Sequence, residues 1–127
     1  MIDIEPKVYT KVRSALASFN VTMKSIEDFT PKAFPTVALY EDDNYTRRDT
    51  ISSKGEEHAE VMYVVNIYTN GNSKKQNAKN IFSKVDETLM GLGFIRQVVT
   101  PVPNNNYYRL SARYIATVGN DEKIYRR

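Results

Sequence analysis

Residues His58 to Thr69 are the clearest strand in the chain. Val61, Tyr63, Val65 and Ile67 point one way; Glu60, Met62, Val64, Asn66 and Tyr68 point the other. The second set is only partly polar, so that face also expects a cover. Tyr107 to Val118 repeats the pattern. Tyr108, Leu110, Ala112, Tyr114 and Ala116 lie on one side, and Arg109, Ser111, Arg113 and Thr117 on the other. A sheet built on two such strands needs helices against its apolar side.

Two segments have helical spacing. From Pro6 to Phe19 the apolar residues Val8, Val12, Ala15, Leu16 and Phe19 recur every three or four positions, with Pro6 suited to a first turn. From Ser73 to about Met90, the residues Ala78, Ile81, Phe82, Val85, Leu89 and Leu92 mark one face. Ser73 with Gln76 has the capping-box pattern, and Gly91 or Gly93 supplies the stop. Thr36 to Tyr40 and Phe94 to Val102 read as further strands, the second closed by Pro101 and Pro103. Asn20 to Ile26 has enough apolar character to pair briefly at a sheet edge. Asp42 to Glu57 has no apolar period and reads as a long polar loop; Gly119 to Arg127 reads as a polar tail. The expectation is an α+β fold over residues 1–127 as a single domain, with about four mostly antiparallel strands and two helices on one face.

Composition removes most chemistry. The chain has no cysteine, which excludes disulfides, thiolate metal sites and a cysteine nucleophile. Its one histidine, His58, excludes metal sites built on two histidines. No apolar run approaches the ~20 residues that cross a bilayer. The start, Met1-Ile-Asp-Ile-Glu-Pro, has neither a basic nor an apolar signal region, so no secretion signal is expected. The sequons at Asn20 and Asn44 then read as coincidence.

Glu41, Asp42 and Asp43 precede the long loop, and Glu56, Glu57 and His58 follow it. Convergence of these groups would suit a hard cation, but their spacing matches no calcium loop, and a solvated acidic hairpin base is the simpler reading. Asp121-Glu122-Lys123 is the nearest approach to a metal-nuclease triplet and lies in the tail. There is no Gly-x-Ser-x-Gly elbow and no phosphate-binding glycine loop. Gly91-Leu-Gly-Phe matches a carboxylate-binding loop of peptide-binding domains, but here it follows a helix that needs ending. These readings give no catalytic residue, cofactor or metal, and the expectation is a non-enzyme.

Residues 1–64 carry 8 basic and 11 acidic side chains, and residues 65–127 carry 10 and 4. Such asymmetry suits a head-to-tail assembly in which unlike surfaces meet. Tyr45, Arg47 and Arg48 in the loop, and Tyr125, Arg126 and Arg127 at the end, are the residue types enriched at protein interfaces. Arg109 and Arg113, alternating on one strand, are candidates for the same contact. With Tyr107 and with Lys74, Lys75, Lys79 and Lys84 on the second helix, they also leave open a basic nucleic-acid-binding module.

The stretch Val64-Val-Asn-Ile-Tyr-Thr-Asn, with Ala78-Lys79-x-Ile81, Val85-Asp86-Glu87, Leu92-Gly93-Phe94 and Arg96, resembles tail terminator (tail-completion) proteins of long-tailed phages and prophages. The likeness continues through Pro101-Val-Pro-Asn, Tyr108-Arg-Leu-Ser-Ala-Arg-Tyr and Ile124-Tyr-Arg-Arg, and is strongest over residues 60–118. It implies a small α+β subunit of a ring, usually a hexamer, that caps the tail tube and stops its growth. Implied partners are other copies of the chain, the tube protein, a head-side connector and, in contractile tails, the sheath. Genome DNA would pass without sequence-specific binding, and no membrane is involved. The implied location is the head end of the virion tail, reached from the host cytoplasm. A head-tail connector or adaptor of the neck is the nearest alternative. The family's long loop is typically mobile in the free subunit and ordered in the ring, an expectation carried onto Asp43 to Glu57 alone.

Overall fold

The structure, a computed structural model, describes residues 3–25, 31, 33–46, 51, 52, 55, 56, 58–102, 106–119, 121 and 123–125. For residues 43, 45, 46, 51, 52, 55, 56 and 125 the description is of the backbone alone. Helix α1 is Glu5–Ala15, followed by a 3-10 turn at Ala17–Phe19, and helix α2 is Lys74–Leu92. The strands are β1 (Thr22–Lys24), β2 (Thr36–Thr46), β3 (Ile51–Ser52), β4 (Gly55–Glu56), β5 (His58–Thr69), β6 (Ile95–Val102), β7 (Tyr108–Gly119) and β8 (Ile124–Tyr125). The main sheet runs β1-β2-β5-β7-β6, with β8 paired to the end of β7. The short β1 joins β2 in parallel; the other pairs are antiparallel.

The α+β class holds, with both helices packed on one side of the sheet, and β1 is the brief edge pairing expected near residue 22. The strand count is higher than four, for two reasons. The stretch read as a loop from Asp42 continues β2 as far as Thr46, opposite Ala59, and β3 and β4 pair beyond it. Residues 41–46 are polar and show no alternation, so only their partner β5 reveals them as strand. The stretch read only as a polar tail holds β8, where Ile124 and Tyr125 pair with Val118 and Thr117. The remainder of the Asp43–Glu57 expectation, including Arg47 and Arg48, lies outside the described residues.

Helix α1 buries Ile4, Val8, Val12 and Leu16, spaced at four, against β2 and α2. Helix α2 buries Ala78, Ile81, Val85 and Leu89. These two stripes meet the odd-numbered residues of β5 and the even-numbered residues of β7 in one core. Each fully buried aliphatic side chain there contributes about 1.5–3 kcal/mol. The capping box does not form: Ser73 is the N-cap but makes no side-chain cap bond, and Gln76 bonds Asn80 instead. The C-terminus is closed at Gly93, whose φ is +112°. Gly93 N–H donates to Met90 O and Phe94 N–H to Leu89 O, the Schellman pair of bonds. This sends Phe94 straight into the core and sets the start of β6.

Two core tyrosines test how that interior handles polarity. Tyr114 Oη donates to Asp86 Oδ1 at 2.7 Å, while the buried Tyr63 hydroxyl has no partner among the described residues. Tyr63→Phe should therefore leave stability unchanged or raise it by up to ~1 kcal/mol, and Tyr114→Phe should cost about 1–2 kcal/mol. Urea unfolding of the two variants measures the difference. Burial raises the pKa of both phenols above the ordinary value of 10.0; the charge of Glu41 adds to this at Tyr63, and the bond to Asp86 at Tyr114. The folded chain keeps these protons where the unfolded chain releases them. The stability they contribute is thus complete below about pH 10 and lost as pH rises. Urea midpoints should be flat from pH 7 to 9 and fall beyond 10, less steeply in Tyr114→Phe.

Candidate partner-binding face of the sheet

The side of the sheet away from the helices carries most of the described candidate residues. Alternation places Arg109, Ser111, Arg113, Ile115 and Thr117 of β7 there, opposite Tyr68, Asn66, Val64, Met62 and Glu60 of β5. Thr36, Ala38 and Tyr40 of β2 extend the face on one side. Ile95, Val98, Thr100 and Val102 of β6 extend it on the other, in phase after a bulge at Gln97.

The face has a covered half and an open half. On the β2–β5 side Thr36, Ala38, Tyr40, Val64, Asn66 and Tyr68 are all buried, which answers the need for a cover. At its end the Tyr107 ring packs edge-on against Tyr68, centroids 5.5 Å apart, and tilts against Phe34 at 5.8 Å. Arg109 belongs to this half. Its guanidinium stands 5.6 Å from the Tyr68 ring centroid, and Nε donates to Asn66 Oδ1 at 3.2 Å. Asn66 Nδ2 in turn donates to Tyr40 Oη over a long 3.5 Å. Arg109 thus satisfies a fully buried amide.

Arg113 belongs to the open half. An irregularity in β2 between Glu41 and Asp43 sets Asp42 out of the ladder, and Asp42 Oδ2 accepts from Arg113 Nη1 at 2.9 Å. The same nitrogen lies 3.3 Å from Met62 Sδ. With side chains 45% and 33% exposed, the ion pair adds at most ~1 kcal/mol. Its larger effect is to hold the guanidinium over β5, close to the half-buried Met62 and Ile115. Val98, 46% exposed, is the one large apolar side chain among the described residues that stands out in solvent, and it sits opposite Arg113. Arg113 held over β5 beside Met62, and Val98 exposed on β6, put guanidinium and apolar groups on the same half of the face, the mixture found at interface centres.

The remaining candidates are divided. Tyr45, Glu60, Thr117 and Tyr125 form one lateral row across β2, β5, β7 and β8. Within it Thr117 Oγ1 donates to Glu60 Oε1 at 3.2 Å, both residues being buried. Arg126 and Arg127 lie outside the described residues. Of the acidic sextet, Asp42 meets Arg113 and Glu41 Oε1 accepts from Asn44 Nδ2 at 2.6 Å; the side chains of Asp43, Glu56 and Glu57 lie outside the described residues. Among the described residues no three His, Asp or Glu side chains stand close enough to hold an ion. The basic residues are split between faces. Lys74, Lys75 and Lys79 are exposed on α2, across the sheet from Arg109 and Arg113, so they do not form one stripe with them.

This arrangement of helices and sheet occurs in a virion. A solved structure described as the virion of a native gene transfer agent particle contains a chain that matches with a TM-score of 0.66. The match covers 88% of this chain and 91% of that chain at 17% sequence identity, so the fold is shared across nearly the whole of both. No family model matches the sequence, and no curated protein does.

Sequence parity alone put Arg109 and Arg113 on one face. Val98, the pairing of Asp42 with Arg113 and the Glu60–Thr117 pair are not legible from parity. The only signal for Val98 was its place in an apolar pair with Val99, of which the bulge turns one residue outward.

Proposed function

We propose that this chain is a structural subunit of a phage-type virion, and within that class a tail terminator. It would close as a ring on the last ring of the tail tube, stop polymerisation and offer its other surface to the head-side connector. The observation that carries the reading is the near end-to-end fold match to a chain of a virion particle. The open sheet face supports it, since Val98 and Arg113 are placed to be covered by a partner. The resemblance in residues 60–118 supports the terminator role in particular. On this reading the protein is not an enzyme and needs no cofactor. It works at the head end of the tail after synthesis in the host cytoplasm.

Electron microscopy of particles from a strain with a nonsense mutation in this gene tests the role. Overlong or headless tails are expected; tails of normal length with intact joining would overturn the terminator reading. Arg113→Glu tests the face. It replaces an attraction to Asp42 by a repulsion at a half-exposed site, so the melting temperature should move by only a few degrees. Assembly should weaken about tenfold or more, the effect of losing roughly 1.4 kcal/mol at a contact. Unchanged incorporation into particles would remove Arg113 from the interface. A steep fall of DNA affinity with salt, with a preference for sequence or strand, would point instead to a nucleic-acid-binding module.

A further inference from the structure

The turn between β5 and α2 holds the one Asn-Gly pair in the chain, Asn70-Gly71, followed by Asn72 and Ser73. Both members of the pair are exposed. The Asn70 carboxamide makes no hydrogen bond with a described residue, and neither does the Gly71 N–H. Gly71 has a φ of +89°, and a Cβ added to it would meet nothing within 4 Å. Its nitrogen therefore lies open to solvent, with no side chain of its own to shield it. The turn is clamped from outside, since Thr69 Oγ1 donates to Lys74 O at 2.7 Å. Other asparagines differ. Asn77 and Asn80 lie within α2, where the next residue's N–H is engaged in the helix ladder. Asn66 is fully buried in β5.

Amide chemistry sets what the pair can do. Solvent base removes the Gly71 N–H proton, and the nitrogen attacks Cγ of Asn70. The Cγ–Nδ2 bond breaks and ammonia leaves, closing a five-membered succinimide. Water then opens the ring. Addition at Cγ gives aspartate. Addition at the backbone carbonyl carbon of residue 70 gives isoaspartate, in which the main chain runs through Cβ and Cγ. Water is consumed, ammonia is released, and nothing is oxidised or reduced. The positive end of α2 and the exposed Lys74 and Lys75 follow at once, and both favour the deprotonated nitrogen.

We propose that Asn70 is a self-modification site of the folded protein, converted by the Gly71 nitrogen to aspartate and isoaspartate. Either product lowers the formal net charge from +3 by one. The new carboxylate arises at a cavity of about 360 Å³ that Asn70 lines with Phe19, Phe34, Asn77 and Asn80, and no charged side chain is among its lining residues. Isoaspartate also lengthens the main chain inside a turn whose ends the Thr69–Lys74 bond holds together.

The test is to age the full chain in neutral and in mildly alkaline buffer, digest it and read the peptides by mass spectrometry. The peptide containing residue 70 should gain the mass of OH in place of NH2, faster at the higher pH, with fragment ions placing the change at residue 70. It should outpace Asn77 and Asn80 by tenfold or more, a gap of about 1.4 kcal/mol in barrier. Isoaspartate should accompany aspartate, because only the cyclic route makes it; aspartate alone would overturn the mechanism. Asn70→Gln, whose longer side chain would have to close a larger ring, should lose the change at this position. Persistence of the mass gain in that variant would place the reaction elsewhere. Protein held in urea supplies the second measurement. Reaction at residue 70 in urea but not in the folded chain would overturn the proposal, because the fold would then protect the pair; comparable rates in both would support it.

Discussion

Phe94→Ala should lower stability by about 3–5 kcal/mol, the usual cost of removing a fully buried aromatic ring. Phe94 is wholly buried and meets Tyr63 edge-on, ring centroids 5.2 Å apart. It also follows Gly93 in the Schellman turn, where its contact with Leu89 helps close α2. One substitution therefore opens a cavity between sheet and helix and loosens the helix end. Against a total of about 5–15 kcal/mol for a domain this size, the variant should melt roughly 10–20 °C lower. Phe94→Leu, which refills much of the space, should cost less than half as much. Urea and thermal unfolding of the two variants decide it; equal, small losses would mean that the core relaxes around this position.

Gly93→Ala should be the second most damaging single change, at about 2–3 kcal/mol. A φ of +112° is a region that L-residues avoid, worth about 1–2 kcal/mol on its own. In addition, a Cβ at this position would stand 2.9 Å from Ile124 Cγ2, so the Ile124 side chain must shift. Gly91→Ala, two residues earlier, is the control. Gly91 is helical with nothing within 4 Å of an added Cβ, and alanine there should stabilise by about 0.5–1 kcal/mol. Opposite signs at two glycines two positions apart are expected.

The elements that the sequence announces are those whose own residues carry the period. Helix α2 and strands β5 and β7 are legible because their burial alternates or recurs with the backbone repeat. The polar half of β2 and the two-residue β8 are not, because β5 and β7 dictate them from far along the chain. The capping box at Ser73 fails for a local reason: Gln76 finds a partner in Asn80. The site follows the same rule. Parity puts Arg109 and Arg113 on one face, but only tertiary contact separates the arginine that serves a buried amide from the one held near the surface. A groove of about 350 Å³ on the helix side is illegible from sequence, since its lining residues Ile4, Leu92 and Ile124 come from three distant parts of the chain.

Strand β6 closes one side of the sheet with its outer backbone groups unpaired among the described residues. It is poorly made for extension: the register slips at Gln97, and Pro101 has no N–H to give. A second molecule laid along it would meet an interrupted ladder after three or four residues. Copies of the chain therefore lack a continuous template for stacking into fibres along this border, where any association must be decided by side chains such as Val98. If the chain is the assembly subunit proposed above, that broken border guards waiting copies against joining the wrong neighbours.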